Sequence, residues 1–339
     1  MSLPEFELVR PETLEEALRF LADHGRDTMV IAGGTDAIPN LRMKLFSPRF
    51  VLDIKGLPGL SGISSSASPD LMGASDGLRI GALTTITEVA EAKAVRAAYP
   101  VLSEAAATIA SPLLRNMGTI GGNLCLETRC RWYNQSFFWR HACGFCLKKD
   151  GSICHVAPGG QRCWAVWSGD TAPALLTLDG EAEIASVGGR RRVRLDEFYR
   201  NDGMDRIHLE QEELLTAVYL PARMAGYRGC YKKFRIRNSI DYPLVGVAAA
   251  MKTDRGGTCR DARVALTAVN PAPLLIREVG SLLAGKRISH ELLEEASRMA
   301  ARTGKPLTTS ASTPEYRREI LKVYTRRALE AVWRDGPRA

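Results

Sequence analysis

Apolar positions along this 339-residue chain change period several times, and each change marks a predicted element. In "PETLEEALRFLADHG", Leu14, Leu18 and Leu21 share one face of a helix. Thr13 is placed to cap that helix, Glu16 to complete a capping box, and Gly25 to stop it. Short apolar runs at "TMVIAGGTD", "RFVLDI" and "LRIGAL" predict buried strands, the first opening into a glycine turn. "TTITEVAEAKAVRAAYP" predicts a helix up to Pro100, and "VLSEAAATIASPLLRNMGTIGGN" a second helix ending in another glycine turn. Strand and helix thus alternate over the first 123 residues, an α/β or α+β pattern.

A cysteine-rich stretch interrupts this pattern. Beyond it, "CWAVWSGDTAPALLTLDGEAEIAS" predicts a helix and then a hairpin turning at Asp179-Gly180. "ELLTAVYLP" predicts a strand ending at Pro221, and "PARMAGYRG" a linker. "CYKKFRIR", "YPLVGVAAAMKT" and "CRDARVALTAVN" predict strands, with "DRGG" turning between the last two. "REVGSLLAG", "SHELLEEASRMAARTG" and "TPEYRREILKVYTRRALEAVWRD" predict helices. Strands followed by helices imply a first domain over residues 1–222 and a smaller α+β domain over 223–339.

Composition adjusts this picture only slightly. The length exceeds what one core usually serves, and 45% hydrophobic with 25% charged residues is ordinary for a globular chain. The net charge of +8 is dispersed, as in "GRRRVRLDEFYR" and "YRREILKVYTRR". Solvated faces account for it first, and a docking surface for an acidic protein second. A basic stripe interleaved with aromatics is absent, which argues against a nucleic-acid partner. No apolar run approaches the roughly 18 residues of a membrane span. "MSLPEFELVR" lacks the apolar region of a secretory signal, so a cytoplasmic location is expected. There, clustered thiols read as metal ligands or redox groups before disulfides.

Two glycine turns are places where backbone can approach a ligand closely. They are "AGGTD" (Ala32, Gly33, Gly34, Thr35, Asp36) and "TIGGN" (Thr119, Ile120, Gly121, Gly122, Asn123). Neither fits the dinucleotide or Walker fingerprints, and each alone reads first as a plain turn. Two of them after apolar elements raise a pyrophosphate-binding reading.

The cysteine stretch runs C-x4-C-x12-C-x2-C-x7-C-x8-C over Cys125, Cys130, Cys143, Cys146, Cys154 and Cys163. Chance burial explains six thiols this close together poorly. Structural zinc favours paired C-x2-C units, and only Cys143 and Cys146 form one. An iron–sulfur cluster fits better, shielded by Trp132, Tyr133, Phe137, Phe138, Trp139 and Phe145.

Taken together, "IAGGTD", "TIGGN", "SGDTAPALL" and "YKKFRIRNSIDYPLVGVAAA" resemble, in order and character, the FAD-binding medium subunits of the xanthine oxidase, or molybdenum hydroxylase, family, which includes carbon monoxide dehydrogenase. The likeness covers nearly the whole chain. The cysteine insert, at about residues 125–164, resembles that of the β subunits of 4-hydroxybenzoyl-CoA reductases in "TRC", "YNQS", "CLK" and "CHV". Inserts of periplasmic aldehyde oxidoreductases of the same superfamily are the second likeness.

The resemblance implies an α+β fold: a two-part FAD-binding domain (PCMH-type) carrying the insert, then an α+β domain of antiparallel strands and helices. It implies that Ala32 to Ala37 and Thr119, Gly121, Gly122 and Asn123 cradle FAD, that Asp170 accepts hydrogen bonds from it, and that Lys233 stands near its isoalloxazine ring. For Asp170 a helix N-cap, and for Lys233 a solvated strand lysine, are the plainer readings. The resemblance places [4Fe-4S] ligands at Cys130, Cys146, Cys154 and Cys163, and leaves Cys125 to the flavin turn and Cys143 without a counterpart. It implies electron transfer, with catalytic residues on another subunit: partners are a large molybdenum-cofactor subunit, a small subunit with two [2Fe-2S] clusters, and ferredoxin, in a dimer of heterotrimers. The implied reaction removes a phenolic hydroxyl from an aromatic acyl-CoA. An aldehyde or N-heterocycle dehydrogenase subunit, and a flavoprotein with structural zinc, are the alternatives.

Overall fold

The structure is a computed structural model that describes residues 2–66 and 77–334, so residues 335–339 of the expected C-terminal domain lie outside the described residues. The chain begins with β1 (Glu7–Val9), α1 (Leu14–His24), β2 (Thr28–Ile31), α2 (Ala37–Arg42) and β3 (Phe50–Asp53). β1 and β2 both pair in parallel with β3. Thr13 Oγ1 accepts from Glu16 N–H at 3.2 Å, but Glu16 reaches the amide of Glu12 rather than that of Thr13. Ala17, Leu18 and Leu21 of α1 pack with Leu52 and Leu60. Gly25 does not stop α1 through a left-handed turn: its φ is −53°. A Cβ there would lie 2.4 Å from the Gln211 carbonyl oxygen, so close packing requires the glycine.

β4 (Ile63–Ser66), β5 (Gly77–Gly81), β6 (Glu181–Ser186), β7 (Gly189–Arg194) and β8 (Leu214–Leu220) form an antiparallel sheet in the order β4-β5-β8-β6-β7. Between β5 and β6 lie α3 (Ile86–Glu91), α4 (Lys93–Ala98), α5 (Pro100–Ala107), α6 (Pro112–Arg115), α7 (Ile120–Leu124), α8 (Phe137–Ala142) and α9 (Thr171–Thr177). The two long helices expected here are therefore five short ones. Pro100 and Pro112 start new helices, and Ala110 takes a φ of +42° before the second of them. The hairpin expected at Asp179-Gly180 turns instead at Val187-Gly188, between β6 and β7. Asp179, with φ +50°, carries the chain from α9 into β6.

After α10 (Leu195–Phe198) and β8 comes the stretch expected as a linker. It forms a short helical turn at Ala222–Met224 and buries Met224. β9 (Arg228–Phe234), β10 (Val245–Thr253), β11 (Cys259–Thr267) and β12 (Leu274–Leu275) make an antiparallel sheet. α11 (Arg277–Leu283), α12 (His290–Thr303) and α13 (Pro314–Arg334) cover it. The unbroken apolar run of β10 now has a reason, because both of its faces are buried. Val247, Ala249 and Met251 join the core with the terminal helices, while Ala248 and Ala250 join the core of the preceding α-helices. No helix among the described residues is long and apolar enough to cross a membrane.

A candidate flavin cavity beside a four-cysteine pocket

A cavity of about 1240 Å³ opens where the β2 turn, the α7 turn and the insert meet. Ala32, Gly33, Gly34, Thr35, Asp36, Ala37, Thr119, Gly121, Gly122, Asn123 and Asp170 all line it. Its volume exceeds the usual range for small-ligand sites, as an extended dinucleotide requires. Among the described residues, three buried polar atoms on its wall have no protein partner: Arg129 Nε, Asn134 Nδ2 and Ser310 Oγ. Unpaired buried donors call for a polar ligand, so the residues present fit FAD.

The four glycines do different work. A Cβ on Gly33 would lie 1.9 Å from Met117 O, and one on Gly121 would lie 2.8 Å from both Ala82 Cβ and Ala82 O. These two permit protein–protein contact rather than ligand approach. Gly34 holds φ +71°, which carries the chain from β2 into α2. At Gly122 the one close neighbour is Thr119 Oγ1 at 3.2 Å, so this position has room on the cavity side. "TIGGN" is no plain turn but the capped start of α7: Thr119 Oγ1 accepts from Gly122 N–H at 3.1 Å.

Asp170 does not cap α9 through its side chain. Asn123 takes that role: its Oδ1 accepts from Thr171 N–H at 3.2 Å and from Thr171 Oγ1 at 2.6 Å. The Asp170 carboxylate instead accepts from Tyr231 OH at 2.7 Å and Lys233 Nζ at 2.9 Å. Gly246, opposite Lys233 in the sheet, leaves room for that tyrosine, since a Cβ there would lie 2.4 Å from Tyr231 OH. Lys233 also donates to Thr108 O at 3.2 Å, its side chain is 2% exposed, and it does not line the cavity. It is therefore not the solvated strand lysine of the plainer reading. Its charge stands behind Asp170, one layer away from the cavity.

Arg129 escaped the sequence reading. Its guanidinium donates to Asp36 Oδ1 and to Tyr242 OH, and lies 4.1 Å from the Tyr242 ring centroid. Asp36 also accepts from Asn40 Nδ2 at 3.0 Å. This clasp ties the first turn, the insert and the C-terminal domain together across the cavity. Its members lie 93 and 113 residues apart in sequence, and no local pattern announces them.

The insert packs on Leu45 and contains the short helix α8, which Ser136 caps. Cys130, Cys146, Cys154 and Cys163 are all buried and line one pocket. Cys125 lines the large cavity instead, and Cys143 closes the end of α8 away from the pocket. No cysteine is in a disulfide. Burial pushes the Cys130 thiol up to about 12 and Cys163 to about 11, so both are neutral until a metal draws off the proton. The Ala165 amide donates to Cys163 Sγ at 3.4 Å. Among the described residues, no three His, Cys, Asp or Glu converge as ligands of a single metal ion. The expected aromatic shield is only partly present. Trp132 and Tyr133 line the pocket, whereas Phe138 is 80% exposed and Phe137 and Trp139 lie on the surface.

Residues 4–223 match the family described as the FAD binding domain in molybdopterin dehydrogenase, and residues 229–332 the CO dehydrogenase flavoprotein C-terminal domain. The glyceraldehyde dehydrogenase medium chain of Sulfolobus acidocaldarius is 29% identical, the alignment covering 97% of this chain and 99% of that one. The carbon monoxide dehydrogenase medium chain of Hydrogenophaga pseudoflava is 28% identical over 97% and 98%. Among solved structures, a reconstituted CO dehydrogenase from Oligotropha carboxidovorans superposes with a TM-score of 0.80 at 25% identity, covering 99% of this chain and 100% of that one. Quinoline 2-oxidoreductase from Pseudomonas putida 86 gives 0.76 at 26%, over 98% of each. The chain belongs to the FAD-binding medium subunits of the molybdenum hydroxylase family, and is the flavin-binding part of an oxidoreductase.

Proposed function

We propose that this subunit carries a [4Fe-4S] cluster beside its FAD and passes electrons within a molybdenum-containing aromatic acyl-CoA reductase of the 4-hydroxybenzoyl-CoA reductase type. The observation that carries the reading is the pocket lined by Cys130, Cys146, Cys154 and Cys163. Four buried thiols lining one pocket suit the thiolate ligation of an iron–sulfur cluster, whereas structural zinc favours paired C-x2-C units and only Cys143 and Cys146 form one. When bound, such a cluster supplies one-electron chemistry and the flavin couples it to two-electron chemistry.

Ala32, Gly34 to Ala37, Thr119, Gly122 and Arg129 would hold the flavin, with Gly33 and Gly121 letting the two turns pack closely behind it. Asp170, kept in place by Tyr231 and Lys233, would present a carboxylate to it. The partners are a large molybdenum-cofactor subunit, a small [2Fe-2S] subunit and ferredoxin, in a cytoplasmic dimer of heterotrimers. Iron and acid-labile sulfide measured on the six single Ala variants, with paramagnetic resonance of the reduced protein, test the assignment. Loss or degradation of the cluster is expected for Cys130, Cys146, Cys154 and Cys163, and unchanged iron for Cys125 and Cys143. A normal signal in Cys130→Ala, with loss in Cys143→Ala, overturns the ligand set. Zinc in place of iron overturns the cluster.

A further inference from the structure

The cavity and the cysteine pocket share a wall. Glu127 and Arg206 line the cavity, while Lys148, Tyr133 and Cys163 line the pocket. Lys148 Nζ donates to Glu127 Oε1, Thr128 Oγ1 and the Gly203 carbonyl, which uses all three of its protons. The Lys148 side chain is 6% exposed and that of Glu127 is 9%. Arg206 Nη1 stands 3.7 Å from Glu127 Oε2, and Arg206 is itself held by the carbonyls of Leu126 and Cys125. Gly203 closes the wall. Its amide donates to Cys163 O at 3.0 Å, and a Cβ there would lie 2.7 Å from Cys163 Sγ. The backbone that holds the ammonium is thus pressed against the thiol. Burial pushes the Glu127 carboxyl upward, but Lys148 and Arg206 outweigh burial and hold it below its ordinary value, so it is charged at neutral pH. The pair is a fixed dipole, with its cation toward the thiols and its carboxylate toward the cavity.

We propose that the Lys148–Glu127 pair sets the potential difference across this wall: the ammonium favours added electron density on the thiolate side, and the carboxylate disfavours it on the cavity side. The inference rests on the cluster reading above. Nearby charge acts strongly in a buried, low-dielectric site, and net charge around a cluster is one of the determinants of its potential. Lys148 does not itself line the flavin cavity and reaches it only through Glu127, so its effect is electrostatic positioning rather than contact with the flavin.

The test is a redox titration of the whole complex, followed by paramagnetic resonance for the iron and visible absorbance for the flavin. Lys148→Met should lower the iron–sulfur midpoint, and Lys148→Arg should restore it. Glu127→Gln should raise both midpoints, with iron and flavin contents unchanged. The double variant, which balances the charge, should fall between the two single ones. An unmoved midpoint in iron-replete Lys148→Met, or a fall in Glu127→Gln, overturns the proposal. If Lys148→Met does not fold, Glu127→Gln decides alone, and the absence of an upward shift is refutation. Wild-type complex without iron would sink the cluster reading instead. The flavin midpoint of Glu127→Gln would then still test the pair.

Discussion

Lys233→Met is the most informative single change outside the insert. The structure makes Lys233 half of a buried ion pair: its side chain is 2% exposed and that of Asp170 is 5%. Replacing the lysine leaves Asp170 with Tyr231 alone and frees the Thr108 carbonyl of one donor. Breaking a buried pair from one side costs about 3–5 kcal/mol, because the remaining charge is uncompensated. At about 2–4 °C per kcal/mol for a domain of 150–250 residues, Tm should fall by roughly 6–20 °C. Asp170→Asn should fall by a similar amount. Tyr231→Phe, which removes one hydrogen bond to the same carboxylate, should lose only about 1–3 kcal/mol. The decisive quantity is the coupling in the Asp170→Asn/Lys233→Met cycle, read by denaturant unfolding of the flavin-loaded protein. The double variant should recover at least about 2 kcal/mol of the summed losses, within the range seen for residues in one network. Additive losses, or a Tm for Lys233→Met within 2 °C of wild type, would refute the argument that pairing is what Lys233 contributes.

Gly122→Val should lower the flavin-to-protein absorbance ratio while circular dichroism stays native, because its side chain enters the cavity; full flavin content would remove that position from the site. Gly121→Ala should instead destabilise the fold by about 1–3 kcal/mol through overpacking against Ala82, measured by thermal unfolding. Arg129→Met should release flavin more than Asp36→Asn does, since it alone removes the orphaned Nε donor; flavin fluorescence in the filtrate after dilution reports it. On the acid side, hydrogen bonds from Arg191 and Arg194 hold Glu213 and Asp196 below their ordinary values. A carboxyl lowered by folding contributes stability that is fully present above its unfolded value of about 4 and is lost as pH falls through the folded value. Unfolding midpoints in denaturant should therefore decline below about pH 4, and Arg191→Met should flatten the part due to Glu213.

Much of this protein was legible in the linear sequence. The period of three to four in "LEEALRFLADH", the cap at Thr13, and the terminal helices are local features, set by side chains within one turn of each other, and they appear in the structure. The same holds for the meander from β9 to β11, where "DRGG" is a turn in its own right. The element pattern left α/β or α+β open for the first domain, and the resemblance carried by the glycine turns and the later motifs implied α+β and a flavin subunit. Local signals failed where the deciding contact is distant. Asp170 reads as a cap because a helix follows it, yet Asn123, nearly fifty residues upstream, fills that role and leaves the carboxylate to a lysine on another sheet. Glycine spacing cannot tell Gly33 and Gly121, which yield to neighbouring backbone, from Gly122, which faces space. Spacing leaves the division of the six cysteines open, the resemblance singles out Cys130, Cys146, Cys154 and Cys163, and the fold of the insert lines one pocket with those four while turning Cys125 and Cys143 away. The clasp of Asp36, Arg129 and Tyr242 and the Lys148–Glu127 wall have no sequence signature at all, because burial, which makes their charges matter, is a property of the packed chain.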